Sequence, residues 1–116
     1  MLSIHLVLSE RTQGLFQEAD LAQMKTSAVL VNTSRGPIVD ERALIEALRT
    51  KTIAAAGLDV FDREPLPSDH ELLTLENTVL LPHLGYVSEA TFRTMYGDVV
   101  EDIAAFLGQA PIRVLP

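Results

Sequence analysis

The chain has 116 residues, 47% hydrophobic and 22% charged, which suits one modest globular domain and excludes a disordered chain. A net charge of −7 argues against a nucleic-acid backbone or an anionic membrane surface as partner. There is no cysteine, which excludes disulfides and thiolate metal sites, and no apolar run approaches the roughly 18 residues of a membrane span. The N-terminus has no basic lead, and Ser3 and His5 interrupt its apolar residues, so a signal peptide is not expected and a cytoplasmic location is the default.

Leu2–Leu8 reads as a strand that begins almost at the first residue. The polar stretch Ser9–Gly14 reads as a loop. Gln17–Met24 places Leu21 and Met24 at helical spacing, with Glu18 and Asp20 in the first turn as the helix dipole prefers. Ala28–Asn32 is a buried strand, ended by the polar turn Thr33-Ser34-Arg35-Gly36-Pro37. Asp40 is placed to cap a helix whose apolar stripe is Ala43, Leu44, Ala47 and Leu48.

A strand follows over Ile53–Val60, then a loop over Phe61–His70. Glu71–Leu75 reads as a short helical turn, and Thr78–Leu81 as a further buried run closed by Pro82-His83-Leu84-Gly85. Ser88 starts a last helix that runs to about Leu107, with Gly108 suited to the C′ position and Pro111 as a stop. Strands alternating with helices give an α/β class with a parallel sheet and right-handed crossovers, of the doubly wound type. No internal repeat or linker divides the chain, so residues 1–116 are expected to form one domain.

In a parallel sheet the C-terminal strand ends share one edge, where ligands bind. Asn32–Arg35, Asp59 with Glu64, and His83 all fall at such ends. Arg35 offers a planar fork that matches a carboxylate, and His83 can exchange a proton near neutral pH. A carboxylate beside the imidazole would fix its tautomer and stabilise its charged form. That set suits proton transfer to the oxygen of a small acid. It contains no evident nucleophile, and His5, His70 and His83 lack zinc-site spacing. Plainer roles stay open: Arg35 in surface ion pairs, Glu64 as a solvated acid, Asp59 as a turn cap, His83 as a turn former, and His5 as a packed strand residue.

Val31-Asn32-Thr33-Ser34-Arg35-Gly36-Pro37-Ile38-Val39-Asp40, followed by Ala43-Leu44, resembles the second signature of the D-isomer-specific 2-hydroxyacid dehydrogenases. Gly57-Leu58-Asp59-Val60-Phe61 through Glu64-Pro65-Leu66-Pro67 is similar to their third, and Leu81-Pro82-His83-Leu84-Gly85 to their catalytic histidine segment. The family includes phosphoglycerate, D-lactate, glyoxylate/hydroxypyruvate and formate dehydrogenases. The resemblance implies the C-terminal half of a Rossmann-type NAD-binding domain, a partial doubly wound sheet. It also implies hydride transfer between NAD, or NADP, and a small 2-hydroxy or 2-keto acid.

By resemblance, Arg35 would bind the substrate, Glu64 would pair with His83, and His83 would be the acid/base. Leu6, Thr33, Ser34, Arg35, Asp59, His83, Leu84, Gly85 and Tyr86 would line the nicotinamide half of the cofactor, with Asp59 on its carboxamide. The family usually has Pro where Val7 stands and a small residue where Tyr86 stands. The chain has no Gly-x-Gly-x-x-Gly segment and no ribose-binding acid after it. It therefore reads as the C-terminal part of a longer enzyme, with the helix and tail 88–116 returning towards a missing substrate domain. The alternative is a non-catalytic α/β remnant that acts through self-association, as a homodimer, or through a partner.

Overall fold

The structure, a computed structural model, describes residues 1–115. It falls into two compact units, Met1–Gly85 and Tyr86–Pro116.

The first unit is built on four parallel strands in the order β1 (Leu2–Ile4), β2 (Val29–Asn32), β3 (Ala55–Leu58) and β4 (Thr78–Leu80). Two helices connect them, α1 (Glu18–Ala22) and α2 (Glu41–Arg49), and a 3-10 turn at Glu71–Thr74 precedes β4. Each crossover advances one strand in the same direction. Right-handed crossovers then place α1 and α2 on one face of the sheet, where they pack against each other.

Burial alternates accordingly. Leu30, Asn32, Ala56 and Leu58 are buried, while Val29, Val31, Ala55 and Gly57 between them are only half-buried. The core joins the covered face to Leu21, Leu44, Leu48, Ile53 and Leu72. Truncating one of these to Ala costs about 2–5 kcal/mol, depending on how far the site collapses.

Helix α2 forms where expected. The Asp40 carboxylate accepts the Ala43 N–H at 2.9 Å, Glu41 lies in the first turn and Arg49 in the last. Its buried face is Leu44, Ile45, Ala47 and Leu48, with Ala43 only partly covered. In α1, Gln17 precedes the helix instead of opening it, and its N–H is held by the Asp20 carboxylate at 2.9 Å.

The strands are shorter than the apolar runs, because a strand lasts only as long as its neighbour pairs with it. Ile4 is opposite Asn32, the last residue of β2, and His5–Leu8 leave the ladder there. His5 is exposed and hydrogen-bonds the Ser3 hydroxyl at 2.8 Å, which corrects the packed strand position expected for it. Ile53 and Val60 are buried but lie outside β3. The run over Thr78–Leu81 is not buried: β4 is an edge strand, and Val79 is 66% exposed.

The second unit is dominated by α3 (Glu89–Leu107). The Ser88 hydroxyl caps it, accepting the Thr91 N–H at 3.2 Å. None of its residues is buried, and the Phe92 and Tyr96 rings stack at 5.6 Å. Arg113 reaches back to Asp98, Glu101 and Asp102 on the helix. Gly108 keeps φ −76, and the left-handed position expected there falls on Gln109 at φ 57. The Gly108 N–H still bonds the Ala104 carbonyl, so the chain turns one residue later.

Candidate active site

The strand ends expected to share a rim do so, because all four strands run parallel. After β2, the buried Asn32 folds the next turn around its own side chain. Its amide donates to the Arg35 carbonyl at 2.9 Å, and its oxygen accepts the Ser34 N–H at 3.0 Å. The Ser34 hydroxyl donates to the Ile4 carbonyl at 2.8 Å, tying this turn to the end of β1. Thr33 and Arg35 are exposed, and the Arg35 guanidinium donates to the Ser34 carbonyl at 2.6 Å. Gly36 is buried against the loop after β3: a Cβ there would lie 2.1 Å from the Phe61 carbonyl carbon.

At the end of β3, the Asp59 N–H donates to the Asn32 carbonyl at 3.0 Å. The Asp59 side chain is buried and holds the turn after β4. One oxygen accepts the Leu84 N–H and the other the Gly85 N–H, each at 2.7 Å. Gly85 is needed in this grip, since a Cβ on it would lie 2.9 Å from the Asp59 Oδ2. The clamp fixes His83, which adopts the left-handed φ of 57 that a non-glycine residue enters at some cost.

Glu64, in the loop between β3 and the 3-10 turn, meets His83. Its Oε2 lies 2.7 Å from His83 Nδ1, and its Oε1 accepts the Phe61 N–H at 2.9 Å. The two side chains are 37% (His83) and 34% (Glu64) exposed, so the pair is partly desolvated yet reachable. Burial pushes the Glu64 carboxyl up. The hydrogen bonds from His83 and the Phe61 N–H, with the charges of His83 and Arg35, outweigh this and hold it below the ordinary carboxylate range. Arg35 is thus near enough for its charge to act on Glu64. An apolar cavity of about 560 Å³ opens beside the pair, walled by Phe61, Leu66, Leu73, Leu80 and Leu81.

Glu64 and His83 therefore meet, although they come from separate loops, and Arg35 stands at the strand end beside them, bonded to the Ser34 carbonyl. Ser34 and Asp59 are at the same rim but are committed to backbone groups. Leu6 lies just beyond the end of β1 and is 42% exposed, and Leu84 on the clamped turn is 45% exposed. Tyr86 opens the second unit and is half exposed. Sequence reasoning did not assign the work of Asn32 or the close approach of Gly36. An Asn ending an apolar strand with Ser two residues on is an Asx-turn signal for the first; the second has no local signal. Among the described residues no cluster of His, Asp or Glu has the arrangement to hold a metal ion.

A parallel α/β sheet with an acid–imidazole pair and an arginine at its C-terminal rim defines a class of small-molecule site found at strand ends. Residues 1–85 match the family described as D-isomer specific 2-hydroxyacid dehydrogenase, NAD binding domain, and the chain belongs to that family. It is 55% identical over 109 residues to glyoxylate/hydroxypyruvate reductase B of Enterobacter agglomerans, covering 91% of this chain and 33% of that protein. Among solved structures, a D-isomer specific 2-hydroxyacid dehydrogenase from Xanthobacter autotrophicus Py2 superposes with a TM-score of 0.82 at 39% identity, covering 96% of this chain and 36% of the other. D-lactate dehydrogenase with NAD+ from Lactobacillus jensenii gives a TM-score of 0.81 at 31% identity, covering 98% and 38%. The chain spans about a third of the length of the curated relatives it matches.

Proposed function

We propose that this chain supplies the acid/base and substrate-binding rim of an NAD(P)-dependent 2-hydroxyacid dehydrogenase, with His83 as proton donor and acceptor, Glu64 as its partner and Arg35 as the group that binds the substrate. The observation that carries the reading is the 2.7 Å bond between Glu64 Oε2 and His83 Nδ1. An ionised carboxylate only accepts, so Nδ1 carries the hydrogen and Nε2 is the nitrogen that exchanges a proton. In reduction, His83 Nε2–H would protonate the carbonyl oxygen of a 2-keto acid as C2 gains a hydride. In oxidation, the same nitrogen would take the hydroxyl proton back. Glu64 stabilises the imidazolium between these events. The Arg35 guanidinium carries five donors, one of them given to Ser34, and its fork matches the substrate carboxylate.

The residues present fit the nicotinamide end of a dinucleotide. Thr33, Leu6 and Leu84 are exposed along the rim, and the cramped Gly85 lets the backbone pass close to Asp59. When bound, the reduced nicotinamide supplies the hydride. Asp59 enters as the residue that holds the His83 turn, with a second lone pair on each oxygen left for a carboxamide.

The reading is tested by grafting the chain in place of the matching third of the Enterobacter agglomerans reductase and assaying with NADH and glyoxylate or hydroxypyruvate. His83→Ala is expected to lower kcat about 10²–10⁴-fold. Arg35→Ala is expected to raise KM as well as lower kcat. An active graft whose His83→Ala variant turns over normally would end the proposal.

A further inference from the structure

We infer that Glu41, with His70, is a positioning residue that shapes the loop 61–70 so that Glu64 reaches His83; this rests on the reading of that pair given above. Glu41 is the first residue of α2, and the acid/base pair lies in other segments. Its carboxylate nevertheless grips both ends of the loop that carries Glu64. One oxygen accepts the Asp62 N–H at 3.4 Å, next to Phe61, the last of the run of buried residues that directly follows β3. The other lies 3.1 Å from His70 Nε2, at the far end of the loop.

The state of His70 follows from its second contact. Its Nδ1 accepts the Leu72 N–H at 3.3 Å and caps the 3-10 turn Glu71–Thr74. That nitrogen therefore carries no hydrogen, and Nε2–H is the donor to Glu41. A neutral imidazole in this tautomer satisfies both contacts at once. A second proton on Nδ1 would break the cap.

Exposed ion pairs contribute little, but this contact is not one of them: the Glu41 and His70 side chains are each only 20% exposed. The charges that act on Asp62 beside this contact are those of Glu41 and Asp40 from the start of α2 and of His70 from the loop. Burial and the charges of Glu41 and Asp40 raise the Asp62 carboxyl above its ordinary range, while His70 acts the other way. The cluster thus sets acids close together, at a cost to Asp62. What that arrangement secures is the geometry of the loop. The same loop is pressed by Gly36 at the Phe61–Asp62 backbone, so the segment after Arg35 touches it twice. The Phe61 N–H that bonds Glu64 lies directly beside this double contact.

The test is NMR on the full 116-residue chain, reading the titration of the Glu64 carboxyl carbon and the amide exchange of Phe61. Glu41→Gln keeps the volume but turns an NH2 towards one of the two donors. Glu41→Ala removes both acceptors. The expected result in either is a Glu64 titration moved up towards the ordinary range and Phe61 exchange about 5-fold faster or more. Leu44→Ala, which opens a cavity under α2, controls for general loss of stability and leaves the Glu64 titration in place. If Glu64 titrates low in the native chain and equally low in both Glu41 variants, the inference is overturned while the pair stands. If it already titrates in the ordinary range in the native chain, the Glu64–His83 pair is absent and the functional reading fails first.

Discussion

Replacing Gly36 with Ala tests whether the two loops that carry Arg35 and Glu64 have any room between them. A Cβ at that position would lie 2.1 Å from the Phe61 carbonyl carbon, 2.3 Å from its oxygen and 2.5 Å from the Asp62 nitrogen. All three are backbone atoms, so no side chain can swing aside. To restore ordinary contact the loops must part by roughly 1.5 Å. Overpacking of this kind costs about 1–3 kcal/mol. With backbone on both sides we expect the upper half of that range, a fall in Tm on the order of 10 °C. A displacement of about 1 Å at a reacting centre can cost 10²-fold in rate, so the graft should lose activity beyond its loss of stability. The assay is urea and thermal unfolding of the chain, with Gly97→Ala as control. A Cβ on Gly97 meets nothing within 4 Å, and alanine favours the helix by about 1 kcal/mol. A Gly36→Ala chain that unfolds at the native midpoint would refute the close-approach argument.

Asp59→Asn replaces one of two acceptors with an NH2 facing a backbone N–H, so we expect a loss of about 1–3 kcal/mol and faster exchange at the Leu84 or Gly85 amide; unchanged exchange at both would disprove the clamp. The Glu64 carboxyl is held below its ordinary 4.5, so its ionised form favours the fold. That stabilisation is present above the unfolded value and disappears as pH falls through the folded one. Urea midpoints of the native chain and Glu64→Gln should therefore differ near neutral pH and converge in acid; a constant gap would contradict the assignment. Finally, the 116-residue chain carries no Gly-x-Gly-x-x-Gly turn to set a pyrophosphate on a helix N-terminus, and should bind NAD weakly by calorimetry. Tight binding would show that the nicotinamide rim holds the cofactor alone.

The parts of the fold that were legible in the sequence are those decided locally. Asp40 caps α2 through an N–H three residues away, and the stripe from Leu44 to Leu48 buries whichever strands lie beneath it. Strand ends are set by partners far along the chain, which is why Leu2–Leu8 reads as seven residues of strand and pairs over Leu2–Ile4 alone. The same division runs through the site. Arg35, Glu64 and His83 could be picked out by residue type at strand ends and by motif. The commitment of both Asp59 oxygens to Leu84 and Gly85, and the bridge from Glu41 to His70, join positions more than twenty residues apart and leave no periodic trace.

The arrangement divides the rim into a fixed half and an adjustable half. His83 and Glu64 are held from several sides: the Asp59 clamp sets the backbone of one, and the Phe61 N–H orients the other. Proton transfer requires this, because its efficiency depends on a donor held within hydrogen-bond reach of one oxygen atom. Arg35 is different. Its backbone is fixed by the Asn32 side chain, but its guanidinium is exposed and bonded to the carbonyl of the residue before it. A long side chain on a fixed stem can adjust to carboxylates set at different distances from the reacting carbon, whereas the imidazole cannot. On the proposed function, substrate choice would rest on what surrounds Arg35, while the proton chemistry would be set by the Asp59 and Glu64 contacts to the His83 turn.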